Sequence, residues 1–72
     1  MMLKFTKLSE SSSKIIYEIM NGDFGTVEYD KETKDIVFFN SDGSKNDTKD
    51  FEYGFSFVIK NNFPESYVYA AG

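Results

Sequence analysis

Hydrophobic and polar residues alternate with a period of two in residues 3–8 and 24–30, the pattern of half-buried β-strands, and residues 14–20 and 35–40 are runs rich in strand-forming apolar residues. Short polar turns interrupt the alternation at residues 10–13, 21–23 and 31–34. The pattern therefore predicts four consecutive strands, joined as an antiparallel meander. These strands are predicted at residues 3–8, 14–20, 24–30 and 35–40.

The period then changes to that of an α-helix. Asp47 or Thr48 can act as the N-cap of this helix, because short polar side chains accept hydrogen bonds from the first free amides. The Asn61-Asn62 pair offers a left-handed end, and Pro64 blocks any continuation. One apolar stripe, at i, i+4, i+7 and i+8, consists of Phe51, Phe55, Val58 and Ile59.

These elements predict an α+β fold: a four- to five-stranded, mainly antiparallel sheet in the order ββββαβ, with one helix packed on one face. The last strand is predicted at residues 66–71, after a polar loop at 41–47 that we interpret as irregular. We expect residues 1–72 to form a single domain. If every element reverses the chain, the last strand pairs with the first; pairing with the fourth would instead need a right-handed crossover. Gly54 we interpret as a position where the helix lies close to the sheet.

Turn lengths set the strand register, and the register decides which side chains share a face. If the loop at 21–23 has three residues and the loop at 31–34 has four, both registers place the same apolar residues on one face of the sheet. We expect this face to lie under the helix. This predicted core face comprises Ile15, Tyr17, Ile19, Val27, Tyr29, Ile36 and Phe38.

Under the same register the opposite face is only half polar. It carries Glu18, Thr26 and Glu28 together with five apolar side chains. Exposed apolar patches on the order of a few hundred Å² mark interaction sites, so we predict that this face binds a protein partner or a second copy of the chain. A different register would remove the patch, and so would the loop at 41–47 or the N-terminal segment if either folded over the face. The predicted partner-binding residues are Ile16, Met20, Phe24, Val37 and Phe39.

Composition narrows the function further. The chain has neither histidine nor cysteine, so it lacks the commonest general base and the thiolate ligands of metal sites. We therefore predict no enzymatic activity, no cofactor and no metal. Apolar runs fall far short of the ~20 residues of a membrane span, and a chain without cysteine suits a reducing compartment. These features predict a cytoplasmic protein with no membrane partner.

Charge argues against nucleic acid as a partner. The net charge is −4, and all eight basic residues are lysine; arginine, the preferred residue for phosphate and base recognition, does not occur. The acidity is concentrated in residues 18–52, where ten carboxylates face four lysines. This segment keeps a second hypothesis open, an acidic inhibitor or immunity-type protein that occupies a basic surface.

A small enzyme or metal-binding protein is the third hypothesis. Ser9 and the serines at 11–13 could pair with Lys14 or Lys7, although serines there are typical of turns. Carboxylate pairs such as Glu28 and Asp30 suit solvated strand ends rather than a substrate cleft. Residues 40–47 are rich in oxygen ligands, but their glycine does not fall at the sixth position that an EF-hand loop requires.

Two stretches of the chain look like known sequences. Residues 25–36, Gly-Thr-Val-Glu-Tyr-Asp-Lys-Glu-Thr-Lys-Asp-Ile, are similar to a hairpin in small uncharacterised β-sheet-plus-helix proteins of low-GC bacteria. Residues 63–72 resemble the way such proteins end. The resemblance covers about half of the chain and implies a small sheet-plus-helix domain, without an activity or site residues. It departs from the pattern at Lys34, where glycine is expected.

Overall fold

The computed structural model describes residues 2–20, 24–46 and 50–70. These residues form six strands and one helix in the order βββββαβ. The elements are β1 (Met2–Glu10), β2 (Lys14–Met20), β3 (Phe24–Asp30), β4 (Ile36–Asn40), β5 (Lys45–Asn46), α1 (Asp50–Lys60) and β6 (Ser66–Ala70).

All six strands belong to one sheet, in the order β5-β4-β3-β2-β1-β6, and every neighbouring pair is antiparallel. The predicted α+β class, with one helix on one face of an antiparallel sheet, is confirmed. The last strand pairs with the first, as predicted, so the crossover alternative is excluded.

The predicted strand count of four to five is wrong, because the loop at 41–47 contains the short strand β5. Gly43 has a φ of 89°, a left-handed conformation that glycine adopts without steric cost. The carboxylate of Asp42 accepts a hydrogen bond from the amide of Ser44 at 2.9 Å, which closes the turn. The chain then runs back along β4, with Lys45 opposite Phe39. A two-residue polar strand leaves no alternation that a sequence pattern could reveal.

Both predicted hairpin registers are confirmed. Tyr17 lies opposite Val27, and Val27 lies opposite Phe38. The loop at 21–23 lies outside the described residues, but the pairing on either side of it has the predicted register. Of the predicted core face, all members are buried except Ile36, which is half-buried and packs against the rest. The core is completed by Leu3, Phe5, Phe55 and Val58.

The helix stripe packs as its spacing predicts. Phe55 and Val58 are buried, and Phe51 and Ile59 are half-buried against the core. The predicted N-cap at Asp47 or Thr48 lies outside the described residues. At Gly54 an added Cβ would lie 3.0 Å from Leu3 Cδ1, which supports the interpretation that the helix approaches the sheet closely there.

The helix ends in a Schellman motif, in which two amides bond back to the last turn. Asn62 is left-handed, with a φ of 63°, and its amide donates to the carbonyl of Ile59 at 3.0 Å. The amide of Phe63 donates to the carbonyl of Val58 at the same distance. The left-handed end expected at the asparagine pair is thus present, and Pro64 follows it directly.

The hairpin between β3 and β4 closes through the side chain of Asp30. Its carboxylate accepts hydrogen bonds from the amides of Thr33 and Glu32 at 3.1 and 2.9 Å, and these bonds lower the pKa of Asp30 below its usual value. Lys34 has a φ of 65°. The lysine therefore occupies a left-handed position, the conformation for which glycine is the default residue.

Candidate functional site

The sheet face that points away from α1 is the candidate functional site, and we call it the open face. In β2, Tyr17 and Ile19 are buried under α1, so the alternating residues Ile16, Glu18 and Met20 point to the other side. Within the described ranges, α1 is the only element outside the sheet, and it packs on the opposite side. No helix or strand of these residues therefore covers the open face.

The five residues predicted to bind a partner differ in exposure. Met20 is 40 % exposed, whereas Ile16, Val37 and Phe39 are half-buried between their neighbours. Phe24 lies opposite Met20 in the backbone register, and its side chain lies outside what the structure describes. The four described side chains share the open face; whether they bind a partner stays a prediction.

Polar residues of β3 divide this predicted patch. Glu28 lies between Ile16 and Val37 in one cross-strand row, and Thr26 lies between Glu18 and Phe39 in the next. The apolar residues of β2 and β4 are therefore separated by a polar strip, rather than joined in one unbroken patch. The Glu28 carboxylate also pairs with the ammonium of Lys14 at 3.1 Å.

Three exposed apolar residues on the open face were not among the predicted ones: Met2, Val68 and Leu8. Met2 and Val68 are 62 % and 53 % exposed, and they extend the open face across β1 and β6. Lys4 lies opposite both Val68 and Met20, so one basic residue separates these two apolar residues in their cross-strand row. The register of β1 against β6 was the missing signal, since no turn length links the first strand to the last.

Leu8 lies on the open face by the alternation of β1, next to a β-bulge. Lys7 pairs with Tyr17, whereas the next pair joins Ser9 to Ile16, which leaves Leu8 as the extra residue. Leu8 is 54 % exposed, so burial of its side chain contributes little to the stability of the fold. Bulges depend on the pairing of two strands, and a single strand's pattern therefore does not predict them.

A groove of about 460 Å³ opens on this face next to β4. Phe39 supplies an apolar wall, and Glu18 and Glu28 supply two carboxylates. This combination suits a partner side chain that is apolar along its length and basic at its end, as in lysine or arginine.

On the other face, a cluster of charges surrounds Glu10 at one end of the sheet. The ammonium groups of Lys7 and Lys31 donate to its carboxylate at 2.7 and 3.0 Å, and these hydrogen bonds lower the pKa of Glu10 below its usual value. Beside it, the buried hydroxyl of Tyr17 donates to the carbonyl of Pro64 at 2.5 Å. Burial, followed by the charges of Glu10 and Glu65, raises the pKa of Tyr17 to about 12.

The Tyr17→Phe variant is expected to lose about 1 kcal/mol of unfolding free energy at neutral pH, because the carbonyl of Pro64 loses its donor. Folding raises the pKa of Tyr17 from 10.0 to about 12, so the folded state favours the neutral hydroxyl. This preference stabilises the fold in full at pH values below 10.0, the pKa of Tyr17 in the unfolded chain. That contribution disappears as the pH rises from 10.0 to about 12. The difference between wild type and variant should therefore shrink across this window.

Urea unfolding at neutral pH and at a pH between the two pKa values measures this difference, and contributions shared by both proteins cancel. A difference that stays constant across the window would show that Tyr17 ionises equally easily in the folded and unfolded chain.

The carboxylates of the described residues do not gather into a metal site. In these ranges no three acidic side chains lie close enough together to hold a metal ion. Within the oxygen-rich loop, Asp42 instead accepts hydrogen bonds from the hydroxyl and amide of Ser44. These bonds lower the pKa of Asp42 below its usual value.

Comparison with protein families, with curated proteins and with solved structures found no match to this chain. In the part of the chain that the structure describes, no helix has the length and apolar composition needed to cross a lipid bilayer.

Proposed function

We propose that the chain is a non-enzymatic protein-interaction module that binds its partner through the open face. One observation carries this proposal: four of the five large apolar side chains that are exposed in the described residues lie on that face. Leaving them in water forgoes roughly 25 cal/mol for each Å² of apolar surface. A partner that covers the face recovers this free energy. The four residues are Met2, Leu8, Met20 and Val68.

The open face also indicates the chemistry of that partner. Glu28 lies between Ile16 and Val37, and together with Glu18 it lines the groove beside Phe39. A matching surface therefore combines apolar side chains with lysine or arginine, since complementary charge favours encounter and register. If the chain is instead an acidic inhibitor, its basic partner would therefore bind to the same open face. A chain without cysteine fits a partner in the cytoplasm.

Glutamate substitutions at two positions of the open face test the proposal. Met20→Glu and Phe39→Glu each replace an apolar side chain of the open face by a charge, while Lys4 and Lys45 lie directly opposite in the sheet and help the variants to stay folded. The matched control is Ser56→Glu, which places the same charge at an exposed position of α1, on the other side of the sheet. Circular dichroism checks that all three variants fold.

The readout is affinity capture of proteins from a lysate of the cells that naturally produce the chain. A protein that wild type and Ser56→Glu retain, and that Met20→Glu and Phe39→Glu lose, is the expected result. Capture that is equal for all four proteins, or absent with wild type, would contradict binding through the open face.

A further inference from the structure

Among the residues that the structure describes, strand β6 forms one edge of the sheet and pairs only with β1. The amide of Lys7 donates to the carbonyl of Glu65 at 2.8 Å, which marks a hydrogen-bonded pair just before β6 begins. Antiparallel ladders alternate hydrogen-bonded and non-hydrogen-bonded pairs. By this alternation, Tyr67 and Tyr69 bond to β1. The amides and carbonyls that point to the free edge are those of Ser66, Val68 and Ala70.

None of the usual protections against strand addition occurs within β6. Proteins guard their edges with charged residues, proline, bulges or very short strands. Ser66–Ala70 contains neither a charge nor a proline, and its register with β1 runs without a bulge. The opposite edge differs, because β5 has only two residues and one of them is Lys45. Strand β6 is therefore the edge to which a further strand can add.

The outward groups of β6 are self-complementary about Val68. A two-fold axis at this residue places Val68 opposite Val68 of a second copy, and Ser66 opposite Ala70 of that copy. All outward amides then meet outward carbonyls, since positions 66, 68 and 70 are symmetric about the axis. The sequence is nearly palindromic as well, because tyrosines flank Val68 on both sides. We propose that the chain forms a homodimer by antiparallel pairing of β6 with β6 of a second copy, about a two-fold axis at Val68.

Aromatic side chains on the α1 side of the edge fit this pairing. Tyr69 packs against Phe57 and Tyr53, with ring centroids 5.3 and 5.7 Å away, and Tyr53 remains 64 % exposed. In the dimer, Tyr67 lies opposite Tyr69 of the second copy in a non-hydrogen-bonded pair, where cross-strand side chains approach most closely. Two aromatic clusters therefore meet at the axis, and aromatic residues are enriched in interfaces.

Charge does not oppose this arrangement, although the chain carries a net −4. The paired strands contain no ionisable side chain other than tyrosine, so no carboxylate or ammonium group faces its own copy across the axis. The dimer goes beyond the proposed function, because it uses the sheet edge and the α1 side. It also joins two open faces into one surface across twelve strands, with the two Val68 side chains at its centre.

The first test is the solution mass of the full chain over a concentration series, by sedimentation or light scattering. Wild type is expected to pass from 8.3 kDa to twice that mass. Val68→Glu should weaken dimerisation about tenfold or more, because two carboxylates then meet at the axis. Within one copy the new glutamate lies opposite Lys4, which favours a folded variant. Val68→Thr keeps a β-branched side chain without a charge and should still form dimers.

Amide hydrogen exchange locates the interface without any substitution. The amides of Val68 and Ala70 should become protected as the concentration rises, whereas those of Tyr67 and Tyr69 should be protected throughout. A wild-type chain that stays monomeric up to about 1 mM would overturn the proposal. So would a dimer whose Val68 and Ala70 amides exchange at the monomer rate. That second result would move self-association to another surface and leave partner binding at the open face standing.

Discussion

The Phe55→Ala variant is expected to lose about 3–5 kcal/mol of unfolding free energy, a large share of what a chain of this length has in total. Phe55 is 0 % exposed and lies at the centre of the contact between α1 and the sheet. Its ring centroid is 5.7 Å from those of Phe5 and Tyr17, and 6.3 Å from that of Phe38. Alanine would leave a cavity among residues of three strands, and close packing prevents those strands from moving together to fill it.

Urea unfolding followed by circular dichroism measures this loss as a shift of the midpoint. Phe57→Ala is the matched control, because it removes the same atoms from the same helix. Phe57 is only half-buried, and its ring stacks on Tyr69 near the sheet edge. We expect the control to cost less than half as much. Equal losses at both positions would show that burial under α1 does not decide the energetics.

The Gly54→Leu variant is expected to lose about 2 kcal/mol, although leucine favours helices by up to about 1 kcal/mol over glycine. The Cβ alone would lie 3.0 Å from Leu3 Cδ1, 3.3 Å from Tyr69 Cδ2 and 3.5 Å from Phe5 Cε2. The remaining carbons of leucine have no room between helix and sheet. They would push α1 away from β1 and β6, which loosens the packing of the whole helix.

The control for this substitution is Ser56→Leu, which adds leucine at an exposed position of the same helix. Its stability should stay within about 0.5 kcal/mol of wild type, since surface substitutions away from special features have small effects. Thermal unfolding compares the three proteins under one condition. If Gly54→Leu were as stable as Ser56→Leu, the close approach of α1 to β1 would not contribute to the free energy of unfolding.

The two proposed binding surfaces meet at Val68. Its side chain lies on the open face, and its outward backbone groups lie on the free edge of β6. A partner that spans both copies of the dimer would bind the assembled state more tightly than the single chain. Partner binding and dimerisation would then strengthen each other by the same factor.

The core and the register of the central strands were predictable from the sequence. Strand alternation and turn chemistry are local properties, and together they determine which side chains point to one face. The pairing of Tyr17 with Val27, and of Val27 with Phe38, followed from two turn lengths. The helix stripe around Phe55 followed from its spacing in the same way. Four residues of the candidate site, Ile16, Met20, Val37 and Phe39, were placed on one face by this register.

The features that give the site its shape were decided only by the tertiary structure. The bulge at Leu8 and the strand at Lys45–Asn46 exist because a neighbouring strand pairs with them, and a single segment carries no sign of that pairing. The pairing of β6 with β1 was predicted, but no turn length fixes its register, which places Val68 beside Lys4. The polar strip at Glu28 separates the apolar residues of the two neighbouring strands, Ile16 and Val37. Local patterns thus determined the faces of the strands, whereas contacts between residues distant in sequence determined how those faces join. The physical reason is that such contacts form only when the whole sheet is assembled, so the sequence of one short segment does not determine their free energy.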